Sequence, residues 1–496
     1  MVTLDGESLT IESVESVAVR NEPVALAAAA IARMHISRAV IDRLANGDAP
    51  VYGVNTGVGR LSDVRISPEE LEQLQRNVIR SHAAGVGEPL PRETVRAMML
   101  IRANVLAKGF SGIRPVVAER LCDLLNRGVT PVVPSRGSVG ASGDLAPLSH
   151  IALVLIGEGE ARLGPAERLS GGDALRRAGI EPLTLAAKEG VSLINGTQAM
   201  LAVGCLELLA AERLANNADL ICALSLDALR GSSHAFEPAL HQARPHPGQI
   251  VTVGNLARLL EGSQIRASHL ECARVQDAYS LRCAPQVHGA VRDTLAEARR
   301  AFAIELNSAT DNPLVFGEEV VSGGNFHGEV LALQLDYVAI ALTALAGISE
   351  RRIDRLVNPT LNEGLPPFLA QNPGIESGLM MAQVTAAALV AENRVLANPA
   401  STGSITTDGS KEDFVSMGMT SALKLSPVVR NTRTVLAIEA LAAARALGFL
   451  RPLRTSPLLE PVQAAIEEVA ALPAGDAPLS GAMVRMEEWM RESRLP

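Results

Sequence analysis

The segment Gly137-Ser138-Val139-Gly140-Ala141-Ser142-Gly143-Asp144 holds a tripeptide, Ala141-Ser142-Gly143, whose backbone could become a reagent. If the Gly143 nitrogen attacks the Ala141 carbonyl, loss of two waters closes a five-membered ring and leaves an exocyclic methylene derived from Ser142. Glycine is needed at the third position because a side chain would obstruct the bend. No ordinary side chain is an electrophile, so a protein that must attack an amine or an aromatic ring needs a cofactor or a device of this kind. The plainer alternative is a glycine-rich helix entry. Asp144 followed by LAPLSHIALVLIG reads as a helix start, which would aim positive dipole at Ser142.

Tyrosine is the second signal. Of three tyrosines in the chain, Tyr52 lies in YGVNTGVG and Tyr279 in QDAYSLRCAPQ, both polar interruptions of an apolar background. Further interruptions are NGTQAM from Asn195, TDNPLVF from Thr310 and GGNFHGE from Gly323. Any one of them alone reads as a connecting loop. A phenol titrates near pH 10, so it needs a positive or electrophilic neighbour to act as a base at neutral pH. Arg282, three residues after Tyr279, shares its face if that segment is helical.

These segments must be positioned by helices. Ala, Leu, Glu and Arg dominate and only 2% of residues are aromatic, which favours a mainly α protein. A helix is expected over residues 22–44, ending near Asn46-Gly47. Ser67-Pro68-Glu69-Glu70 reads as an N-cap, a proline at the first helical position and a capping-box glutamate. Long apolar helices are expected over residues 196–229, 329–356, 378–396 and 416–447, and residues 157–188 look like a surface excursion. Helices so poor in charge need partners on several faces, which predicts a bundle with further burial between subunits.

Composition removes other classes. Among 496 residues 47% are hydrophobic, and mean hydropathy is +0.19. Charges nevertheless interrupt every apolar stretch short of the roughly 18 to 20 residues that span a bilayer, so no membrane role is expected. The acidic start MVTLDGESLT does not resemble a secretory signal, which predicts a cytoplasmic protein. Five scattered cysteines, Cys122, Cys205, Cys222, Cys272 and Cys283, give neither a disulfide framework nor a metal site. A net charge of -9 without basic clusters argues against nucleic acid, leaving small molecules and copies of the chain itself as partners.

Taken in order, the Tyr52 loop, GSVGASGDLAPL, the Asn195 segment, QDAYSLRCAPQ, NFHGE, GLPPFL and KEDFVSMG from Lys411 resemble the histidine and phenylalanine ammonia-lyase family over residues 45–450. The resemblance implies a fumarase/aspartase-like fold, an elongated bundle of long helices. An N-terminal region (1–200) would bear the self-made methylidene-imidazolone (MIO) group, followed by a central bundle (201–450) and a C-terminal helical segment (451–496) packed on it. It further implies a homotetramer whose active sites draw on three chains, with no external cofactor or metal. Carried over by motif, Ala141, Ser142 and Gly143 form the MIO, and Asn195 and Tyr279 lie beside it. Arg282 clamps the substrate carboxylate with help from Gln276, a task suited to a guanidinium fork. Tyr52, on a mobile glycine-rich loop, takes the β-proton, and Phe326 lines the pocket with His327 in support.

Two positions speak to the substrate. His82 in SHAAGVG matches the histidine-lyase pattern, and Glu412 matches QEDHVSM, where phenylalanine and tyrosine lyases tend towards NQD. A carboxylate can accept a hydrogen bond from an imidazole N–H, whereas burying it against a phenyl ring costs free energy. The implied reaction is elimination of ammonia from L-histidine to give trans-urocanate. Departures from the pattern are Val58 in place of an aromatic residue, Lys411 and Phe414 in place of Gln and His, and DGS in place of SAN. The alternatives are a tyrosine or phenylalanine lyase, an aminomutase using the same group, and a catalytically silent helical scaffold. The fumarase and aspartase enzymes themselves expect a GSSxMPxKxN signature, which is absent.

Overall fold

A computed structural model describes residues 1–164, 167–270, 275–473 and 475–492, and in it helices predominate over a few short strands. The long apolar runs form helices close to the expected bounds: Gln198–Ala228, Glu329–Val357, Met380–Leu396 and Gly418–Gly448. The residues group into two compact units. One comprises Met1–Glu207, Ala298–Asp336 and Pro399–Leu423, the other Leu208–Glu297, Tyr337–Asn398 and Lys424–Pro496.

In the first unit, helix Arg92–Ala107 is buried from residue 94 to its end. Its two internal arginines find carbonyls rather than water. Arg96 donates to Val17 O (2.9 Å) and Leu125 O (3.0 Å), near the C-terminal ends of helices Ile11–Arg20 and Pro115–Asn126. Unsatisfied carbonyls gather at such ends and favour a cation.

Three local expectations are corrected. The helix expected from residue 22 is Ala28–Ala45, because Val24–Leu26 pairs in parallel with Val2–Leu4 and the Asn126 side chain bonds both Val24 N and O at 2.8 Å. Pro68 opens a single 3₁₀ turn, Pro68–Glu70, before helix Leu71–His82, and the Ser67 hydroxyl donates to Glu70 Oε2 (3.1 Å) instead of capping a backbone N–H. Residues 157–188 are not a mere excursion. Strand Glu160–Leu163 pairs with Val129–Pro131 and Glu167–Ser170, and helix Gly171–Ala178 buries Ala174 and Leu175 completely. The serine and glycine that made this stretch look irregular are its caps: Ser170 accepts from Asp173 N, and Gly179 takes the left-handed conformation.

By length and composition alone, Glu329–Val357 could cross a membrane. It buries Leu331, Leu335, Leu342 and Leu345, while its Asp336 accepts from Ser401 N (2.9 Å), the behaviour of a core helix.

The second unit is organised round a dry polar cluster. Glu439 accepts from Arg352 Nε (2.5 Å) and Nη2 (2.9 Å) and from the hydroxyls of Ser225 (2.7 Å) and Ser349 (2.5 Å). Arg352 also donates to His288 Nε2 (3.3 Å), whose Nδ1–H donates to Asp219 (2.7 Å). Burial holds the His288 pKa below its usual value, so the ring is neutral and can play both parts.

Candidate active site

The Ala141-Ser142-Gly143 turn lies in the first unit and is gripped by three other segments. Val139 O accepts from Met417 N (2.8 Å), and Gly140 O accepts from Gly328 N (3.1 Å) and from the Ser416 hydroxyl (2.9 Å). On the far side Asp144 N donates to Gly196 O (2.7 Å), and Asn195 Nδ2 donates to Ser142 O (2.8 Å). Gly143 has φ +73°, and a Cβ there would fall 2.2 Å from Gly196 O, so only glycine fits. Asp144 does begin helix Leu145–Leu155, but its carboxylate also accepts from Ala199 N and Met200 N (both 2.9 Å), at the start of helix Gln198–Ala228. Burial pushes the Asp144 pKa up to about 6, against the pull of these N–H groups and the Ser138 hydroxyl.

A cavity of about 520 Å³ opens beside the turn, lined by Tyr52, His82, Ser142, Asn195, Phe326 and Glu412 among others. Six of the residues singled out by sequence are thus brought together from six stretches of chain. The Ser142 hydroxyl donates to Glu412 Oε1 (2.6 Å), and Thr407 holds Glu412 Oε2 (2.6 Å). His82 ends helix Leu71–His82 with Nδ1 2.7 Å from Val78 O, which fixes the proton on Nδ1 and leaves Nε2 an acceptor in the neutral ring. Asn195 Oδ1 is buried and has no hydrogen-bond partner, so the cavity wall carries an unused acceptor. Val58 lines the cavity as well. His327 stacks on Phe414 with centroids 6.0 Å apart and bonds its carbonyl through Nε2 (3.2 Å).

Tyr52 receives the Gly59 N–H on its hydroxyl (3.4 Å). Its pKa is raised, first by burial and then by the charges of Asp408, Glu412 and Asp311. Sequence alone called for a positive neighbour to any basic tyrosine, and here the neighbours raising its pKa are carboxylates.

Gln276, Tyr279 and Arg282 belong to the second unit and are not among the residues lining this cavity. Gln276 and Tyr279 are exposed. The short helix Tyr279–Arg282 does put its two ends on one face, with the Arg282 guanidinium 4.6 Å from the Tyr279 ring centroid. A separate cavity in the second unit, of about 300 Å³ and lined by Leu441, Ala444, Arg445, Phe449 and Ile466, holds none of the residues singled out. Cys272 lies outside the described residues, and the other four cysteines are free.

Sequence reasoning missed the layer behind the cavity. Arg102, fully buried, donates to Asn195 O (2.8 Å) and Gln198 Oε1 (3.0 Å), and burial lowers its pKa to about 10. Lys188, also buried, pairs with Asp311 at 3.2 Å, next to cavity-lining Asn312. The available signal was a charge inside an apolar run: Arg102 in MLIRANVL and Lys188 in LTLAAKEGVSL.

Comparison with known proteins identifies the family of the chain. A family model described as aromatic amino acid lyase matches residues 9–468. A histidine ammonia-lyase of Koribacter versatilis (strain Ellin345) is 58% identical, covering 99% of this chain and 98% of its own. One of Anaeromyxobacter dehalogenans (strain 2CP-C) is 57% identical, covering 94% and 93%. Among solved structures, histidine ammonia-lyase from Trypanosoma cruzi matches with TM-score 0.92 and 44% identity over 99% of this chain and 93% of that one. Tyrosine aminomutase from Streptomyces globisporus matches with TM-score 0.93 and 41% identity over 99% and 96%. With the family model matched over most of its length and relatives this similar end to end, the chain belongs to the aromatic amino acid lyase family as a carbon–nitrogen lyase.

Proposed function

We propose that this chain eliminates ammonia from L-histidine to give trans-urocanate, using an MIO group formed from Ala141, Ser142 and Gly143. The observation that carries the reading is the meeting of Glu412 and His82 with the Ser142 turn in one cavity. A carboxylate and an imidazole suit an imidazole substrate and offer little to a phenyl ring. The names and identities of the two bacterial relatives support the same substrate. The turn fits the group on geometric grounds, since Gly143 is bent at positive φ with no room for a side chain. When formed, the group supplies the electrophile that no side chain provides.

The protein's own residues do the rest. Asn195 Nδ2 polarises the Ser142 carbonyl, and Asn195 Oδ1 is free to accept from the substrate ammonium. Glu412 accepts from the imidazole N–H, and His82 and Phe326 flank the ring. Tyr52 takes the β-proton, and its loop keeps water from the site. Tyr279, Arg282 and Gln276 act from other copies of the chain in a homotetramer, with Arg282 holding the substrate carboxylate. Support for that assembly is the exposed apolar stripe Val330, Leu333, Tyr337 and Ile340 on one helix. A cytoplasmic site of action fits thiols left unpaired and pushed up to about 12 by burial at Cys122 and Cys222.

The test is near-ultraviolet absorbance after mixing purified protein with L-histidine, L-tyrosine or L-phenylalanine, with products identified by mass. Growth of a conjugated product from L-histidine alone, lost in Ser142→Ala, is the expected result. A flat trace with L-histidine and growth with another amino acid overturns the substrate, and a β-amino acid product replaces the lyase with an aminomutase.

A further inference from the structure

We propose that Glu412 has an earlier task than substrate binding: it carries the proton that must be moved when Ser142 loses water. This rests on the reading that Ala141-Ser142-Gly143 cyclises. The Ser142 hydroxyl donates to Glu412 Oε1 at 2.6 Å. The carboxylate is not free to turn away. Its other oxygen accepts from the Thr407 hydroxyl at 2.6 Å, and Thr407 N donates to Glu412 O at 2.8 Å in a short antiparallel bridge. Ser142 is fixed as well, through its own carbonyl on Asn195 Nδ2 and through the Gly196 contact on the next peptide. The contact places a held proton carrier at the leaving oxygen, where general acid catalysis of water loss needs one.

The chemistry needs such a group. In ring closure the Gly143 nitrogen bonds to the Ala141 carbonyl carbon, and the Ala141 oxygen leaves as water with the N–H protons of Gly143 and Ser142. The second water comes from Ser142 alone. Its Cα–H proton passes to the Glu412 carboxylate, and the electron pair left on Cα forms the Cα=Cβ double bond. The Cβ–Oγ bond breaks, and Glu412 returns the proton to Oγ as water departs. Glu412 ends as the carboxylate it began as, no oxidant is consumed, and hydroxide never leaves unprotonated. Loss of the hydroxyl also frees Oε1, so the oxygen that served Ser142 in the immature chain becomes available to the substrate. One carboxylate would thereby serve two steps in succession.

The experiment is an intact-mass time course on freshly expressed or refolded protein, with folding checked by circular dichroism and thermal melting. Wild-type chain should become lighter by two waters. Glu412→Ala should fold yet keep at least the Ser142 water, with maturation slowed by about 100-fold or more. Glu412→Asp should recover part of the rate. Thr407→Val, which leaves the carboxylate in place but loosens it, should slow maturation less than Glu412→Ala and guards against a folding defect in the latter. Folded Glu412→Ala and Glu412→Gln chains that lose both waters at the wild-type rate overturn the proposal alone. A wild-type chain that keeps its full mass overturns the cyclisation reading and the proposal with it.

Discussion

Tyr52 is a phenol held among carboxylates, and that fixes how it can act. Burial raises its pKa, and the negative charges of Asp408, Glu412 and Asp311 raise it further, so with the cavity empty it is protonated at neutral pH. A substrate ammonium entering the cavity has the opposite sign and would favour the phenolate. Catalysis by Tyr52 should therefore show as an activity that rises with pH. Replacing Asp408 by Asn removes a negative charge, lowers the Tyr52 pKa, and should move the ascending limb of the kcat/KM profile to lower pH. A limb that stays put or moves upward assigns it to another group. If Tyr52 acts on substrate and not on the turn, Tyr52→Phe should cut kcat by about 10² to 10⁴ while the intact mass still shows two waters lost.

At the scale of elements, the second unit exposes how helices present the Tyr279–Arg282 turn. Arg352 on helix Glu329–Val357 donates to Ser280 O (3.4 Å), and its charge is balanced by Glu439 on helix Gly418–Gly448, with both side chains fully buried. Removing Glu439 leaves a guanidinium without its counter-charge in a dry interior. Glu439→Ala should cost about 3 to 5 kcal/mol of stability, read as a lower urea midpoint at unchanged slope. A loss under about 1 kcal/mol would mean that water reaches Arg352. The same elements mark what was legible. The long helices could be read because long runs rich in strong helix formers and poor in charge favour buried helices, and the Tyr279–Arg282 face followed from local spacing. The start at Ala28 could not, because it depends on Val24–Leu26 pairing with strand Val2–Leu4, some twenty residues away in sequence. Nor could Arg102 and Lys188 be recognised as the support behind Asn195 and Asn312. Their burial is a property of the packed unit, and a lone cation in an apolar run does not reveal its partner.

For the whole molecule, the question is where Tyr279 and Arg282 act. Both lie in the QDAYSLRCAPQ segment on which the resemblance to the family partly rests, yet neither lines the cavity that gathers Tyr52, His82, Ser142, Asn195, Phe326 and Glu412. Meanwhile Val330, Leu333, Tyr337 and Ile340 repeat at helical spacing on an exposed face of Glu329–Val357. An exposed apolar face on a helix is the kind of surface a second copy of the chain could cover. If the assembly is a homotetramer in which Ser142 works with Tyr279 of another copy, two different dead variants should restore one another. Ser142→Ala and Tyr279→Phe homo-oligomers should each be inactive. Refolded or co-expressed in equal amounts, they should recover about a quarter of wild-type activity, because random association gives a site both native residues with probability one half times one half. A site built within one copy predicts no recovery at all, since every chain in the mixture then lacks one of the two groups. Light scattering on the same samples should report four chains of 52.1 kDa, and activity that returns only with that species would tie the chemistry to the assembly.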